Sequence, residues 1–167
     1  HLELCVIAEE IGRALAPIPF SSSVYLFTET IIKYGSDEIK KNILPKLVTG
    51  EIVGTYAVAE DMSAITESTL SCAVEGDSVT GAKIAVPDAE LATHAVVLVK
   101  GTKGPELRLV DLNSDGVEIS LQKNLDKSRS FYKVAFNNAQ SSLLGDQGSG
   151  WESHVHIMDQ AAVLFAS

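Results

Sequence analysis

Apolar and polar positions change rhythm twice along the chain. From Leu2 to Leu15 the residues Leu4, Ile7, Ala8, Ile11 and Leu15 recur at spacings of three and four, which predicts one helical face. Pro17 and Pro19 end that helix, because proline lacks the backbone donor and clashes with the preceding turn. Ser21-Ser22-Ser23 offers an N-cap for a second helix with Leu26, Phe27, Ile31 and Tyr34 inward, and Gly35 stands at its C′ position. Ser36 caps a third helix, and Asp37 and Glu38 suit the positive end of its dipole. Ile39, Ile43, Leu44 and Leu47 form its apolar face, Gly50 ends it, and Pro45 predicts a kink or a break.

After Glu51 the apolar period falls to two, predicting strands over 52–60, 71–75, 78–86, 94–100, 107–111, 117–121 and 131–136. Gly76-Asp77 reads as a tight hairpin turn, and Lys103-Gly104-Pro105 and Ser114-Asp115-Gly116 as longer turns. Short strands at this spacing indicate an antiparallel barrel or sandwich, not an alternating α/β sheet. From Gly148 the helical period returns, with Val155, Met158, Ala162 and Phe165 along one face. The chain thus reads as α+β: helices over 1–50, strands over 51–147, a helix over 148–167. The pattern begins at Leu2 without a cap and stops inside a helix, so both ends read as cut.

The 13 Lys and Arg against 22 Asp and Glu give a net charge of −9, and the basic residues are scattered. That argues against nucleic acid or an anionic membrane as a partner, because phosphate affinity rests on clustered cations. No stretch approaches the roughly 18 apolar residues of a membrane span. Cys5 and Cys72 sit apart in apolar runs and read as free thiols, which suggests a reducing cytoplasmic location. There is no phosphate-binding glycine loop, C-x-x-C or nucleophile elbow. His154 and His156 point to different sides of a helix and so do not share a metal. Glu9-Glu10 and Asp37-Glu38 read as solvated helix faces.

Three ordered stretches carry a resemblance. YGSDEIKKNILPKLVTGEIVGTYAVAE, then VTGAKIAVPDAELATHAVVLVK, then SLLGDQGSGW follow the order and spacing of blocks in the acyl-CoA dehydrogenase family. The resemblance implies an FAD-dependent flavoprotein that oxidises the Cα–Cβ bond of an acyl-CoA thioester, a carboxylate taking the α-proton while the flavin takes the β-hydride. It implies the end of an N-terminal helical domain over 1–50, a middle antiparallel β-barrel over 51–147, and the first helix of a truncated C-terminal bundle over 148–167. The family's catalytic base comes from that bundle, and no Glu of this chain matches it.

Carried over position by position, the flavin ring would be held by the strand containing Tyr56, Val58 and Ala59, where the family has a hydroxyl in place of Ala59. Ala85 and Pro87 stand where the family has a flavin-contacting Trp and Thr. The turn that follows Glu60 carries two glycines and a Ser in the family. Here Met62, Ala64 and Ile65 replace them, so the resemblance places substrate contacts at Ser63, Ile65 and Thr66, with Ser63 or Thr66 as the substitute for the lost hydroxyl. Three readings follow: an incomplete, catalytically impaired dehydrogenase-like flavoprotein; a non-catalytic partner subunit of the same fold with little or no flavin binding; or an unrelated helix-plus-barrel module. The apolar face of the last helix predicts a homo-oligomer or pairing with a related subunit.

Overall fold

The computed structural model describes residues 2–125 and 129–166. Helix α1 (Leu2–Ala14) is followed by a wide π-helical segment, Phe20–Phe27, that runs directly into α2 (Thr28–Tyr34); α3 spans Asp37–Thr49. Seven strands follow: β1 (Gly54–Ala57), β2 (Ala73–Glu75), β3 (Ser78–Pro87), β4 (His94–Lys100), β5 (Pro105–Asp111), β6 (Val117–Gln122) and β7 (Phe131–Leu144). Helix α4 (Gly150–Phe165) closes the described chain.

The helical part departs from expectation in three places. The serines do not cap a helix; they lie inside the π-helical segment and bolt it to the sheet. Ser23 Oγ accepts from the Gly54 N–H at 2.9 Å, and Ser22 Oγ donates to Asp88 at 2.6 Å. Gly35 is extended (φ −66°, ψ 141°), not left-handed, and the glycine is needed for space: a Cβ there would stand 2.6 Å from the Ile31 carbonyl oxygen. Pro45 does not break α3, which continues through it to the left-handed Gly50. Ser36 does cap α3, its hydroxyl accepting from Ile39 N–H at 3.2 Å.

The expected antiparallel barrel is corrected by the pairing. The strands form one mixed sheet in the order β1-β4-β2-β3-β7-β5, with β6 also on β7 and β4 also on β5. β1 runs parallel to β4, and β2 meets β4 in parallel through the single pair Ala73 and Lys100. These parallel pairings, with β1 and β6 added at the side of other strands, make a mixed sheet in place of the antiparallel barrel. Alternation and turn spacing announce strands but not their partners or direction, which is why the sequence suggested closure.

The sheet separates two cores by the period-2 rule. Along β4, Val96 and Leu98 face the helices, joining Phe27, Ile31 and Ile157, while Val97 and Val99 face the opposite cluster with Val79, Val134 and Phe136. On α4 the buried residues are Gly150, Ser153, Ile157, Ala161 and Leu164. The expected face of Val155, Met158, Ala162 and Phe165 points instead to solvent.

Gly54 sits where a Cβ would fall 2.0 Å from the ring of the fully buried Phe27. At Gly12, in α1, an added Cβ would meet nothing within 4 Å. We therefore expect Gly54→Ala to cost about 2–3 kcal/mol by overpacking, and Gly12→Ala to leave stability unchanged or raise it by up to about 1 kcal/mol through helix propensity. Urea midpoints of the two variants check this pair.

Candidate functional site

The segment leaving β1 is fastened from several directions. Beyond Ala57 the chain quits its ladder with β4, and its polar groups find partners on β3. The Val58 carbonyl accepts from Lys83 Nζ at 3.0 Å, and the Ala59 carbonyl accepts from the Ile84 N–H at 2.8 Å. The Glu60 carboxylate lies 2.7 Å from Lys83 Nζ and also accepts from the backbone N–H groups of Ser71 at 2.7 Å and Cys72 at 3.1 Å, and from the Ser71 hydroxyl. Lys83 is fully buried, on the same phase of β3 as the core residue Val79.

Electrostatics follows from burial and pairing. Burial by itself raises the Glu60 carboxyl, but hydrogen bonds from Lys83 and Ser71 overcome it and hold the group below its ordinary value. Burial lowers the Lys83 ammonium, with Glu60 opposing that shift, and burial pushes the Cys72 thiol up to about 11. Cys72 is thus an inert core thiol, not a nucleophile.

The expected site residues divide among different surroundings. Tyr56 is buried on the helix side, where its ring stacks on His154 (centroids 5.9 Å) and its hydroxyl lies 3.3 Å from His154 Nδ1; Trp151 tilts against the same imidazole. Burial raises the Tyr56 phenol and lowers His154, so both are neutral at pH 7 and the contact is a packed hydrogen bond between α4 and β1. Val58 packs on the same side. Ala59 and Ala85 lie on neighbouring segments, joined through the Ala59–Ile84 bond. Ala85 is exposed at φ 50° in a β-bulge, its N–H donating to Gln122 at 2.7 Å. The Pro87 carbonyl accepts from Thr55 Oγ1 at 2.6 Å.

Ser63, Ile65 and Thr66 belong to an exposed loop that satisfies itself. Ser63 N–H donates to Asp61 Oδ1 at 2.7 Å, Thr66 N–H donates to Thr69 Oγ1 at 3.0 Å, and the Thr66 and Ser68 hydroxyls pair at 3.0 Å. The space beneath, between Val58, Glu60, Ile65 and Leu70, is about 10 Å³, room for one water. That space is far smaller than a flavin ring, and the Thr66 hydroxyl is already bonded within the loop. Ser63, Ile65 and Thr66 as placed thus lie on an exposed loop over that small space, with Thr66 bonded inside it.

Sequence reasoning missed the Glu60–Lys83 pair and the role of His154. The first had a visible signal: a lysine on the inward phase of a strand requires a buried counter-charge. The second had none, because the Tyr56 contact spans 98 positions.

The chain resembles known proteins in sequence and in fold. A family model described as "Acyl-CoA dehydrogenase, N-terminal domain" matches residues 1–51. The mitochondrial isovaleryl-CoA dehydrogenase of Oryza sativa subsp. japonica is 27% identical over 164 residues, covering 87% of this chain and 40% of that protein. The mitochondrial short-chain specific acyl-CoA dehydrogenase of Homo sapiens is 27% identical over 185 residues, covering 100% and 44%. Among solved structures, an acyl-CoA dehydrogenase from Geobacillus kaustophilus superposes with a TM-score of 0.83 at 24% identity, over 96% of this chain and 47% of that one. An acyl-CoA dehydrogenase complexed with FAD from Bacillus anthracis gives 0.79 at 23% identity, over 92% and 29%. The chain matches the acyl-CoA dehydrogenase family in sequence and in fold. It spans less than half the length of the relatives it matches. Those curated relatives are mitochondrial, which overturns the cytoplasmic expectation; two free thiols speak of a reducing surrounding, not of the compartment that supplies it. No described helix is long and apolar enough to cross a membrane.

The depressed Glu60 carboxyl sets a pH test. The unfolded chain takes up this proton first, near the ordinary value of 4.5. The pair's stabilisation is therefore complete above that pH and lost as pH falls through the lower folded value. We expect Glu60→Gln to cost about 2 kcal/mol at neutral pH, with the gap to the unaltered protein closing below 4.5, as read from urea midpoints across the acid range.

Proposed function

We propose that this chain is an acyl-CoA dehydrogenase-type unit with an impaired flavin seat. It retains the helices and sheet on which α,β-oxidation of an acyl-CoA thioester is built, but its own grip on FAD is weak. One observation carries this reading: the loop after Glu60 closes on its own hydroxyls and carboxylates over a space the size of one water. The losses at Ala59, Ala85 and Pro87 point the same way, since neither alanine offers a hydroxyl or a stacking ring and the Pro87 carbonyl is held by Thr55. The family resemblance supports an acyl-CoA thioester as the substrate class of the whole assembly.

A second reading, a non-catalytic partner subunit, is favoured by the solvent-facing stripe on α4. Val155, Met158 and Phe165 are each at least a third exposed, and such a stripe suits contact with a second copy or with a related subunit.

Incubation with excess FAD followed by gel filtration, with flavin absorbance measured against protein, separates the outcomes. We expect clearly substoichiometric flavin in the unaltered protein. Restoring the family's turn with Met62→Gly, Ala64→Gly and Ile65→Ser should raise FAD affinity about fivefold or more, the equivalent of one hydrogen bond. Stoichiometric flavin in the unaltered protein would contradict the impaired seat.

A further inference from the structure

A cavity of about 750 Å³ lies away from the loop just described, among α1, the chain after it, the turn that follows β3, the start of β7 and the end of α4. Its volume is that of a small-molecule site. None of the flavin-related positions lines it. The stripe Ala8, Ile11 and Gly12 of α1 forms one wall, and Leu164 and Phe165 of α4 form another. Such walls suit a branched or ring-bearing hydrocarbon.

The remaining wall is polar and already assembled. Arg129 Nη2 donates to Ser21 Oγ at 3.1 Å and stands 3.6 Å from Asp88 Oδ2. Asp88 also accepts from Ser22 at 2.6 Å, and Tyr132 donates to Glu90 Oε2 at 2.6 Å. Among the described lining residues, Asp88 thus offsets the guanidinium, and Glu90 stands as a second carboxylate on Tyr132. Each carboxylate keeps free lone pairs, because it can accept about four hydrogen bonds. An incoming N–H or O–H finds acceptors here, while an incoming carboxylate meets like charge.

We infer that this cavity binds an uncharged, bulky apolar group whose polar end donates a hydrogen bond, and that it discriminates against carboxylates. The inference does not depend on flavin binding. Calorimetric titration of the protein with cyclohexylacetamide and with cyclohexylacetate, near-isosteric molecules that differ in charge, tests it at neutral pH. The amide should bind at least about tenfold more tightly, a modest demand for a net like charge at close range. Gly12→Phe projects a ring from a position with open space around its Cβ and should abolish the binding. Leu91→Trp, at an exposed lining residue, should do the same if the first variant does not fold. Asp88→Asn with Glu90→Gln should close the gap between amide and acid; asparagine tolerates the positive φ of Asp88. The inference is overturned if the acid binds as well as the amide, if neither binds, or if a folded cavity-filling variant binds unchanged. Neither probe is a thioester or touches the FAD measurement, so the two proposals fail separately.

Discussion

Lys83 carries its ammonium group into the protein interior, and the joining of the sheet follows from the need to satisfy it there. A buried cation without a partner is too costly to keep. Glu60 supplies the counter-charge and the Val58 carbonyl a further acceptor, and Glu60 is in turn held by the Ser71 and Cys72 backbone. One side-chain pair therefore fixes the exit of β1, the middle of β3 and the approach to β2. β2 and β3 form one hairpin, but β1 shares no ladder with either of them: among the described residues its strand pairing is with β4. On the opposite end of β1, Ser23 and the space at Gly54 hold the strand against the π-helical segment. β1 is only four residues long, and these end fixtures compensate for a short ladder.

That arrangement keeps the fold independent of the loop that follows Glu60. The scaffold depends on Glu60 and Lys83, on close contacts at Gly54 and Gly150, and on the two-sided packing of β4; none of these involves the loop that follows Glu60. A Cβ at Gly150 would stand 2.5 Å from the Glu106 backbone, so the entry of α4 over β5 is set by backbone contact. The loop itself is exposed and locally bonded. Its residues Met62, Ser63, Ala64 and Thr66 belong to neither hydrophobic core.

Much of this was legible in the sequence, and the failures share a physical character. Helical periodicity located α1, α3 and α4, and β4 appeared at its full length because Val96 to Val99 is buried on both faces. Pairing direction was not legible, because alternation reports which face is buried and not which strand lies alongside. The length of β7 was missed because its second half, from Asn137 to Ser142, is mostly polar and carries Asn138 at φ 52°; the strand continues because β3 and then β5 supply its partners. On α4 the apolar residues occupy two faces. Ile157, Ala161 and Leu164 are buried, whereas Val155, Met158 and Phe165 are exposed, and periodicity alone could not rank them. At the site, the substitutions at Ala59, Ala85 and in the turn were visible as residue types. The closure of the turn on itself was not, since it depends on side-chain geometry.

The most direct check of the account is the state of Lys83 itself. Heteronuclear NMR of the lysine ammonium groups at neutral pH should show one slowly exchanging signal, assigned to Lys83 by its loss in Lys83→Met and shifted or broadened in Glu60→Gln. A Lys83 signal that exchanges with water as fast as the surface lysines, or that is unaffected by Glu60→Gln, would contradict the claim that this buried pair joins the sheet.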